Sequence, residues 1–446
     1  MEPFQVGIIA LIAVLVLLAN RVPIAAALGV VASLGIFMIF AWRPGQDFLP
    51  QYAIQPTLSL MTNSPYAFIT SSTLSTVPLF ILMGHLAYEA GFTTDIYRAA
   101  RLWLVRLPGG LAMASVVGCG GFSAITGSSV ACAAAMGRIA IPEMLRFGYS
   151  PSLATGTVAI GGTLGSLIPP SVLFILYGIF AEQSIARLFV AAIIPGLISL
   201  LAYMLVIYIW VKLRPSAAPL PNEVITKQER RQALLDCWAI LTLFVVVVGG
   251  IYLGLFTPTE AAGIGAAATL VLGFVLRRLN LAKMLSALKE SVYQTSMIFV
   301  IAIGGKLFVN FIALTGLANE ITSWIETSNT SMEVVIGLIV VMYIFLGMFL
   351  DPIGIILLSL PLTLPIIESY GLSLIWFGVV VVKLLEVGLV TPPIGLNVFV
   401  IKSIVDKKIA LETIFKGVSL FLVAEIVVLA LIITAPALSL YLALSL

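Results

Sequence analysis

The sequence predicts an all-α polytopic membrane protein made of two inverted repeats, each with a re-entrant helical hairpin and a broken helix. Three observations support this fold class: the composition, a duplicated segment and the distribution of basic residues. Hydrophobic residues make up 61% of the 446 residues and charged residues only 10%. A soluble domain of this length would be far more polar, so most of the chain is expected to lie in lipid.

A segment of the first half is repeated 223 residues later. The string "IPEMLRFGYS…GSLIPPS" (141–171) corresponds to "LPIIESYGLS…GLVTPPI" (364–394). Each copy interrupts an apolar segment with Gly and Pro, and interruptions at matching places in two halves indicate the binding site of a secondary transporter. The matched positions are Gly148 with Gly371, Gly165 with Gly388, and Pro169 and Pro170 with Pro392 and Pro393.

Apolar segments of about 20 residues, the length that crosses a bilayer, follow in the same order in both halves. The first repeat has segments 4–20, 22–41 and 64–90, an interrupted segment 110–145, a broken span 151–182 and a span 185–212. The second repeat has segments 234–255, 258–277 and 285–315, an interrupted segment 331–368, a broken span 372–405 and a span 411–444. The two halves are therefore predicted to share one fold.

The interrupted segments are predicted to be hairpins that return to their own side of the membrane. Residues 110–126 would form about 24 Å of helix, which is shorter than the hydrocarbon core of about 30 Å. With one hairpin in each half, each repeat crosses the membrane five times. An odd number of crossings inverts the second repeat relative to the first.

The basic residues support this topology. It places only Arg43 and Arg187 on one side of the membrane and nineteen Lys and Arg residues on the other, which identifies the cytoplasmic side. Both termini are therefore predicted to face outward, into the periplasm. The nineteen are Arg21, Arg98, Arg101, Arg106, Arg138, Arg146, Lys212, Arg214, Lys227, Arg230, Arg231, Arg277, Arg278, Lys283, Lys289, Lys402, Lys407, Lys408 and Lys416.

Five regions follow from this order. Residues 1–109 and 234–330 are predicted to hold scaffold helices, 110–212 and 331–446 two transport halves, and 213–233 a cytoplasmic linker. Within the first region, residues 92–107 have the charge pattern of an interfacial helix. The basic residues lie in short loops rather than in one patch, so no nucleic-acid partner is expected. The three cysteines lack metal-type spacing.

The tip of the first hairpin, "GFSAITGSSVA", offers Ser123, Thr126, Ser128 and Ser129 around Gly127. Hydroxyls and free carbonyls at the middle of a membrane are ligands for Na+, and a helix that begins at Ser128 presents N–H groups to an anion. The alternative is close helix packing through small residues.

Asp351 lies at the tip of the second hairpin and is followed by Pro352. An ionisable group inside a membrane segment indicates function. The alternative is a helix N-cap, because Asp followed by Pro is a good helix start. Both roles are compatible.

The two proline breaks free the backbone carbonyls that precede them. A kink used only for packing is the alternative, but two breaks at one offset favour a pseudo-symmetric pair of ion sites. The candidate residues are Gly165, Ser166 and Pro169 in the first break and Gly388, Thr391, Pro392 and Asn397 at the second.

Four further polar residues have structural interpretations. Lys383 and Glu386, three residues apart on one helix, are predicted to neutralise each other. Lys306 has no partner in the sequence, and the alternatives for it are contact with an anionic substrate, with a lipid head group or with a partner subunit. His85 is predicted to lie at the membrane interface rather than in a proton relay. No hydrolase motif, P-loop or Cys/His cluster is present, so neither an enzyme nor an ATP-driven pump is expected, and no cofactor beyond Na+ as coupling ion.

Five strings in order along the chain resemble the large membrane subunit of the tripartite ATP-independent periplasmic (TRAP) transporters, a family similar to the ion transporter superfamily. The resemblance covers nearly the whole chain. The strings are "PLFILMGHLAYEAG", "GGLAMASVVGCGGFSAITGSSVACAAAMG", "IPEMLRFGYSPSLATG", "LIPPSVLFILYG" and "TPPIGLNVFV".

The resemblance implies an elevator-type transporter in the bacterial inner membrane. Its implied partners are a small four-helix membrane subunit, a periplasmic substrate-binding protein and a substrate that carries a carboxylate, such as a C4-dicarboxylate or sialic acid. By the family motifs, Thr126, Ser129, Asp351 and the carbonyls of 165–169 and 388–392 form the Na+ and substrate shell. The family's first hairpin commonly has the pattern "GSSxAD", and here its acidic position is Cys132.

Two rival functions stay open on the sequence. The first is a stand-alone Na+-coupled or H+-coupled anion symporter of the same superfamily, which needs no partner. The second is a channel or an intramembrane enzyme, against which the duplicated breaks and the absence of catalytic motifs argue.

Overall fold

The computed structural model describes residues 2–42, 47–220 and 225–444, and within these ranges it contains helices and no strand. The helices of the first half are α1 Pro3–Ala19, α2 Ile24–Ala41, α3 Gln51–Ile69, α4 Thr76–Glu89, α5 Phe92–Leu104, α6 Gly110–Thr126, α7 Ser129–Arg146, α8 Pro151–Leu167, α9 Val172–Phe180 and α10 Ile185–Leu213.

The second half repeats this order. Its helices are α11 Lys227–Asp236, α12 Trp238–Phe244, α13 Gly250–Tyr252, α14 Pro258–Val275, α15 Leu281–Thr315, α16 Leu317–Thr327, α17 Met332–Gly347, α18 Pro352–Ser369, α19 Leu374–Gly388, α20 Leu396–Ile404, α21 Leu411–Thr434 and α22 Ala437–Ala443. A π-helical segment, Val245–Gly249, joins α12 to α13.

The predicted fold class is confirmed. Each repeat contains a helical hairpin, α6–α7 or α17–α18, followed by a broken helix, α8–α9 or α19–α20. Within the described ranges, six helices are long and apolar enough to cross a membrane, or nine if each bent pair is counted as one span. The chain is a multi-pass membrane protein. Arg43, which entered the count of basic residues, lies outside the described residues.

Three helices were not predicted as separate elements. The segment 64–90 is parts of two helices, α3 and α4, bent by 54°, and α3 was missed because Gln, Thr, Ser, Asn and two prolines dilute its apolar signal. Residues 316–330, between two predicted segments, contain helix α16. The predicted linker 213–233 already contains the start of α11, where Thr226 and Glu229 form a capping box.

Both hairpin tips are explained by local chemistry. Gly127 ends α6 in the left-handed region, with φ of 59°, which glycine adopts without steric cost. Ser128 then caps α7, since its hydroxyl accepts a hydrogen bond from the amide of Ala131 at 3.4 Å. In the second hairpin, Asp351 caps α18 and Pro352 occupies its first turn.

The two regions predicted as transport halves pack against each other. Helix α8 lies on α6, α7 and α21, while α19 lies on α10, α17 and α18. Glycines permit these close approaches: a Cβ added to Gly388 would lie 2.6 Å from the Cα of Gly347. A separate apolar cluster joins α1 and α2 to α15 around Leu28, Phe308 and Phe311.

Helix α5, the predicted interfacial helix, is held by ion pairs. Arg98 lies 3.3 Å from Asp236, and Asp95 pairs with Arg278 at the end of α14. Burial raises the pKa of Asp95, although Arg278 opposes this shift. These contacts fasten α5 to the second repeat.

Candidate ion and substrate site

The two hairpin tips line one cavity. It has a volume of about 420 Å³, within the range typical of small-molecule sites. Gly127, Ser128, Ser129 and Ser166 line it from the first repeat and Asp351 lines it from the second. The structure therefore brings together five of the predicted residues, the first and last of which are 224 positions apart in the sequence.

The first tip contacts the first broken helix through hydroxyls. Ser129 Oγ lies 2.6 Å from Ser166 Oγ and 3.3 Å from the carbonyl oxygen of Thr163. Ser129 and Ser166 are each 3% exposed, so water hardly reaches these oxygens. Closely spaced, dehydrated oxygens of this kind suit a small hard cation.

Gly165 makes this contact possible. A Cβ at this position would lie 2.6 Å from the carbonyl oxygen of Ser128 and 2.8 Å from the Cα of Ser129. Because both neighbours are backbone atoms, only a glycine allows α8 to approach the tip this closely. Gly388 holds the equivalent place in the second repeat, against Gly347.

Asp351 both caps a helix and lines the cavity. One of its carboxylate oxygens accepts a hydrogen bond from the amide of Gly354 at 3.1 Å. The same side chain borders the cavity. The two interpretations of this residue are thus compatible in the structure.

The remaining predicted residues lie away from this cavity. Ser123 donates to the carbonyl of Cys119 at 2.5 Å inside the first hairpin, and Thr391 donates to Val387 at 2.6 Å. Pro169 is buried, whereas Pro392 is exposed, and both precede cis peptide bonds. Asn397 is fully buried, donates to Ala159 at 3.3 Å and has a side-chain oxygen without a described partner.

Helix α15 supplies the opposite wall of the cavity, which sequence reasoning missed. Gln294 is its polar residue there, together with Met297, Ile298 and Ile301. The sequence could have indicated Gln294 only as a polar residue in a mostly apolar segment. Single polar residues of this kind are too common in membrane helices to identify a site.

A second cavity, of about 440 Å³, lies between the first hairpin and helices α4 and α15. Ser128 and Gln294 line both cavities, so the two meet there. Thr126 borders only the second one. His85 also lines it, with its Nε2 atom 3.0 Å from Gln294 Oε1.

The predicted ion pair between Lys383 and Glu386 is wrong. Lys383 Nζ lies 2.7 Å from a carboxylate oxygen of Glu425 on α21 and donates to Ser199 Oγ at 2.9 Å. Glu425 also accepts a hydrogen bond from the hydroxyl of Tyr203. The two side chains on α19 point to different neighbouring helices, so they do not meet.

Two hairpins whose tips meet at one cavity, each followed by a broken helix, define a membrane transport protein. The chain matches the family described as "Tripartite ATP-independent periplasmic transporter, DctM component" over residues 11–438. It belongs to this family, which confirms the resemblance seen in the sequence.

Relatives support this assignment, and a solved structure shares the fold. The chain is 35% identical to the C4-dicarboxylate TRAP transporter large permease protein DctM of Pseudomonas aeruginosa, over 74% of this chain and 77% of that protein. It is 32% identical to the sialic acid TRAP transporter large permease protein SiaM of Vibrio cholerae, over 82% and 85%. The crystal structure of the Alcanivorax borkumensis YdaH transporter shares the fold, with a TM-score of 0.60, 16% identity and coverage of 100% and 98%.

Proposed function

We propose that this chain is the large permease subunit of a Na+-coupled TRAP transporter that imports an organic acid delivered by a periplasmic binding protein. The observation that carries the proposal is the shared cavity at the two hairpin tips. The substrate is proposed to carry a carboxylate, since two relatives are named for carboxylates, C4-dicarboxylate and sialic acid. A third relative is named for isethionate, a sulfonate, so the feature common to all three is an anionic group.

The cavity offers complementary groups for a cation and an anion. The oxygens of Ser129, Ser166 and Asp351 suit Na+. Helices α7 and α18 both begin at the cavity. The amide groups of their first turns favour a negatively charged substrate. Binding of each ion lowers the electrostatic cost of binding the other, which is a physical basis for coupled transport.

An elevator motion is proposed to carry this site across the membrane. The regions 110–212 and 331–446 would move as the transport unit against the scaffold of 1–109 and 234–330. The second cavity continues from the site as far as Arg138 in the middle of α7, a residue counted on the predicted cytoplasmic side. The described conformation is thus proposed to open inward, in an inner membrane with both termini in the periplasm.

Reconstitution in proteoliposomes tests the proposed function. The subunit alone, and the subunit with a small membrane subunit and a periplasmic binding protein, would be assayed for uptake of a labelled organic acid with and without a Na+ gradient. We expect uptake only with both partners and Na+. Equal uptake without partners would favour the stand-alone symporter, and uptake driven by a proton gradient alone would exclude Na+ coupling.

Ser129→Ala should weaken Na+ binding. The change removes one oxygen from a dehydrated site in which water replaces it poorly, so about 1–3 kcal/mol of cation affinity should be lost. The Na+ concentration for half-maximal uptake should rise about 5-fold to 150-fold. Ser115→Ala is the matched control, because Ser115 is fully buried in the same hairpin, away from its tip, and its hydroxyl donates to the carbonyl of Leu111. An unchanged Na+ curve for Ser129→Ala would remove the tip from the ion site.

Asp351→Asn separates the two roles of Asp351. Asn caps helices as well as Asp does, so the variant should fold normally. Loss of the negative charge should still raise the Na+ requirement by about tenfold or more. Asp351→Ala, which also loses the cap, should additionally lower the melting temperature. If uptake by Asp351→Asn depended on Na+ concentration as it does in the wild type, Asp351 would act only as a helix cap.

A cysteine at position 327 tests the proposed topology. Thr327 is exposed at the end of α16, and the native Cys119, Cys132 and Cys237 are all buried. An impermeant maleimide added to intact cells should label Thr327→Cys and leave Arg231→Cys unlabelled. Labelling of Arg231→Cys but not of Thr327→Cys would show that the chain has the opposite orientation in the membrane.

A further inference from the structure

Three ionisable side chains lie fully buried at the centre of the transport halves: Lys383 and Glu386 on α19 and Glu425 on α21. Lys383 and Glu425 form an ion pair, at 2.7 Å. Counted in their ionised forms, two carboxylates and one ammonium sum to one negative charge. Glu386 is the group left over, and a buried charge without a partner is costly.

The surroundings of Glu386 compensate for this charge only in part. Both carboxylate oxygens are buried and neither makes a hydrogen bond within the described residues. The backbone amides of Ser166 and Leu167 and the thiol of Cys132 lie near the carboxylate without meeting hydrogen-bond geometry. Lys383, one turn away, is already bonded to Glu425 and Ser199.

Glu386 lies directly behind the wall of the central cavity. Ser166, which is beside the carboxylate, lies 2.6 Å from Ser129 through its hydroxyl, and both serines line the cavity. On α19, Leu389 also lines the cavity, and three residues of helix span about 4.5 Å. The unpaired carboxylate of Glu386 therefore lies close to the predicted cation ligands Ser129 and Ser166.

We propose that Glu386 is the countercharge of a monovalent cation bound at Ser129 and Ser166. This inference rests on the proposed function, in which the cation is Na+. A carboxylate and two hydroxyls are hard oxygen ligands of the kind that Na+ takes. The bound cation would be the missing partner of Glu386 and would balance the formal negative charge of the buried cluster.

The test compares unfolding temperatures of the purified full chain in detergent, in NaCl and in choline chloride of equal ionic strength. Na+ that binds only the folded state should raise the melting temperature of the wild type. In Glu386→Gln the Na+ concentration needed for this stabilisation should rise at least tenfold. In choline, Glu386→Gln should melt at or above the wild type, because an uncompensated buried charge has been removed.

A merely structural role for Glu386 would lower the melting temperature in both salts. Glu326→Gln is the charge-matched control, since Glu326 is an exposed acid on α16 that lines neither cavity, and its Na+ response should equal that of the wild type. If Na+ stabilised Glu386→Gln at the same concentrations as the wild type, this inference would be overturned, whereas the proposed Na+ coupling would not be affected.

Failure of the proposed function has a different signature. A wild type with no Na+ stabilisation and no Na+-dependent uptake would overturn Na+ coupling and this inference together. If Glu386→Gln does not fold, Glu386→Asp is the second variant. It keeps the negative charge but has a side chain that is shorter by one methylene group. That variant should keep the Na+ stabilisation with about tenfold weaker affinity, and a wild-type Na+ midpoint in it would overturn the inference.

Discussion

Lys383→Met is expected to destabilise the protein by about 3–5 kcal/mol, because it leaves the carboxylate of Glu425 buried without a counterion. The pair joins α19 to α21, and Ser199 on α10 shares the ammonium, so the loss should reach three helices of the transport halves. The melting temperature of the purified subunit in detergent measures this effect.

The double variant Lys383→Met with Glu425→Leu should recover most of the loss. Replacing a buried ion pair by apolar side chains is often neutral, and the neighbouring hydroxyls keep other partners. Ser199 donates to the carbonyl of Pro195 at 2.9 Å, and the hydroxyl of Tyr203 lies 3.0 Å from Thr163 Oγ1. A double variant as unstable as Lys383→Met alone would contradict this account.

Lys306→Met serves as the control for a lysine in a membrane helix. Lys306 is partly exposed and makes no ion pair among the residues that the structure describes. Its replacement should change stability by no more than about 0.5 kcal/mol. A large effect would show that loss of any lysine, rather than of the pair, destabilises the chain.

The hairpins and broken helices were predictable because their signals are local. Gly127 and Ser128, or Asp351 and Pro352, end one helix and start the next through their own backbone and side-chain chemistry. The duplication placed both tips in equivalent positions. Their meeting at one cavity follows from pseudo-symmetry, which sequence alone indicates.

Side-chain partners between helices were not predictable in the same way. Whether Lys383 meets Glu386 or Glu425 depends on how α19 is rotated against α10 and α21, and in a helix that is apolar on all sides the sequence carries no face to fix that rotation. The same holds for Gln294, whose position on α15 acquires meaning only when the first hairpin packs opposite.

Gly165→Ala should nearly abolish transport while leaving a folded protein. The added Cβ would lie 2.6 Å from the carbonyl oxygen of Ser128, so the tip has to move by several tenths of an ångström. Displacement of site oxygens on this scale costs about tenfold to a hundredfold in activity, and the Na+ requirement should rise with it. Uptake measured against Na+ concentration gives both quantities.

Gly337→Ala is the matched control, because Gly337 also lies inside a helix but a Cβ there meets nothing within 4 Å. Helix propensity alone should make that variant more stable by about 0.5–1 kcal/mol, with normal uptake. Gly388→Ala, against Gly347, should resemble Gly165→Ala if both breaks serve the ion site. If Gly165→Ala took up substrate as fast as the wild type, α8 would be able to move away from the hairpin tip without disturbing the ion site. The close approach at Gly165 would then serve helix packing only.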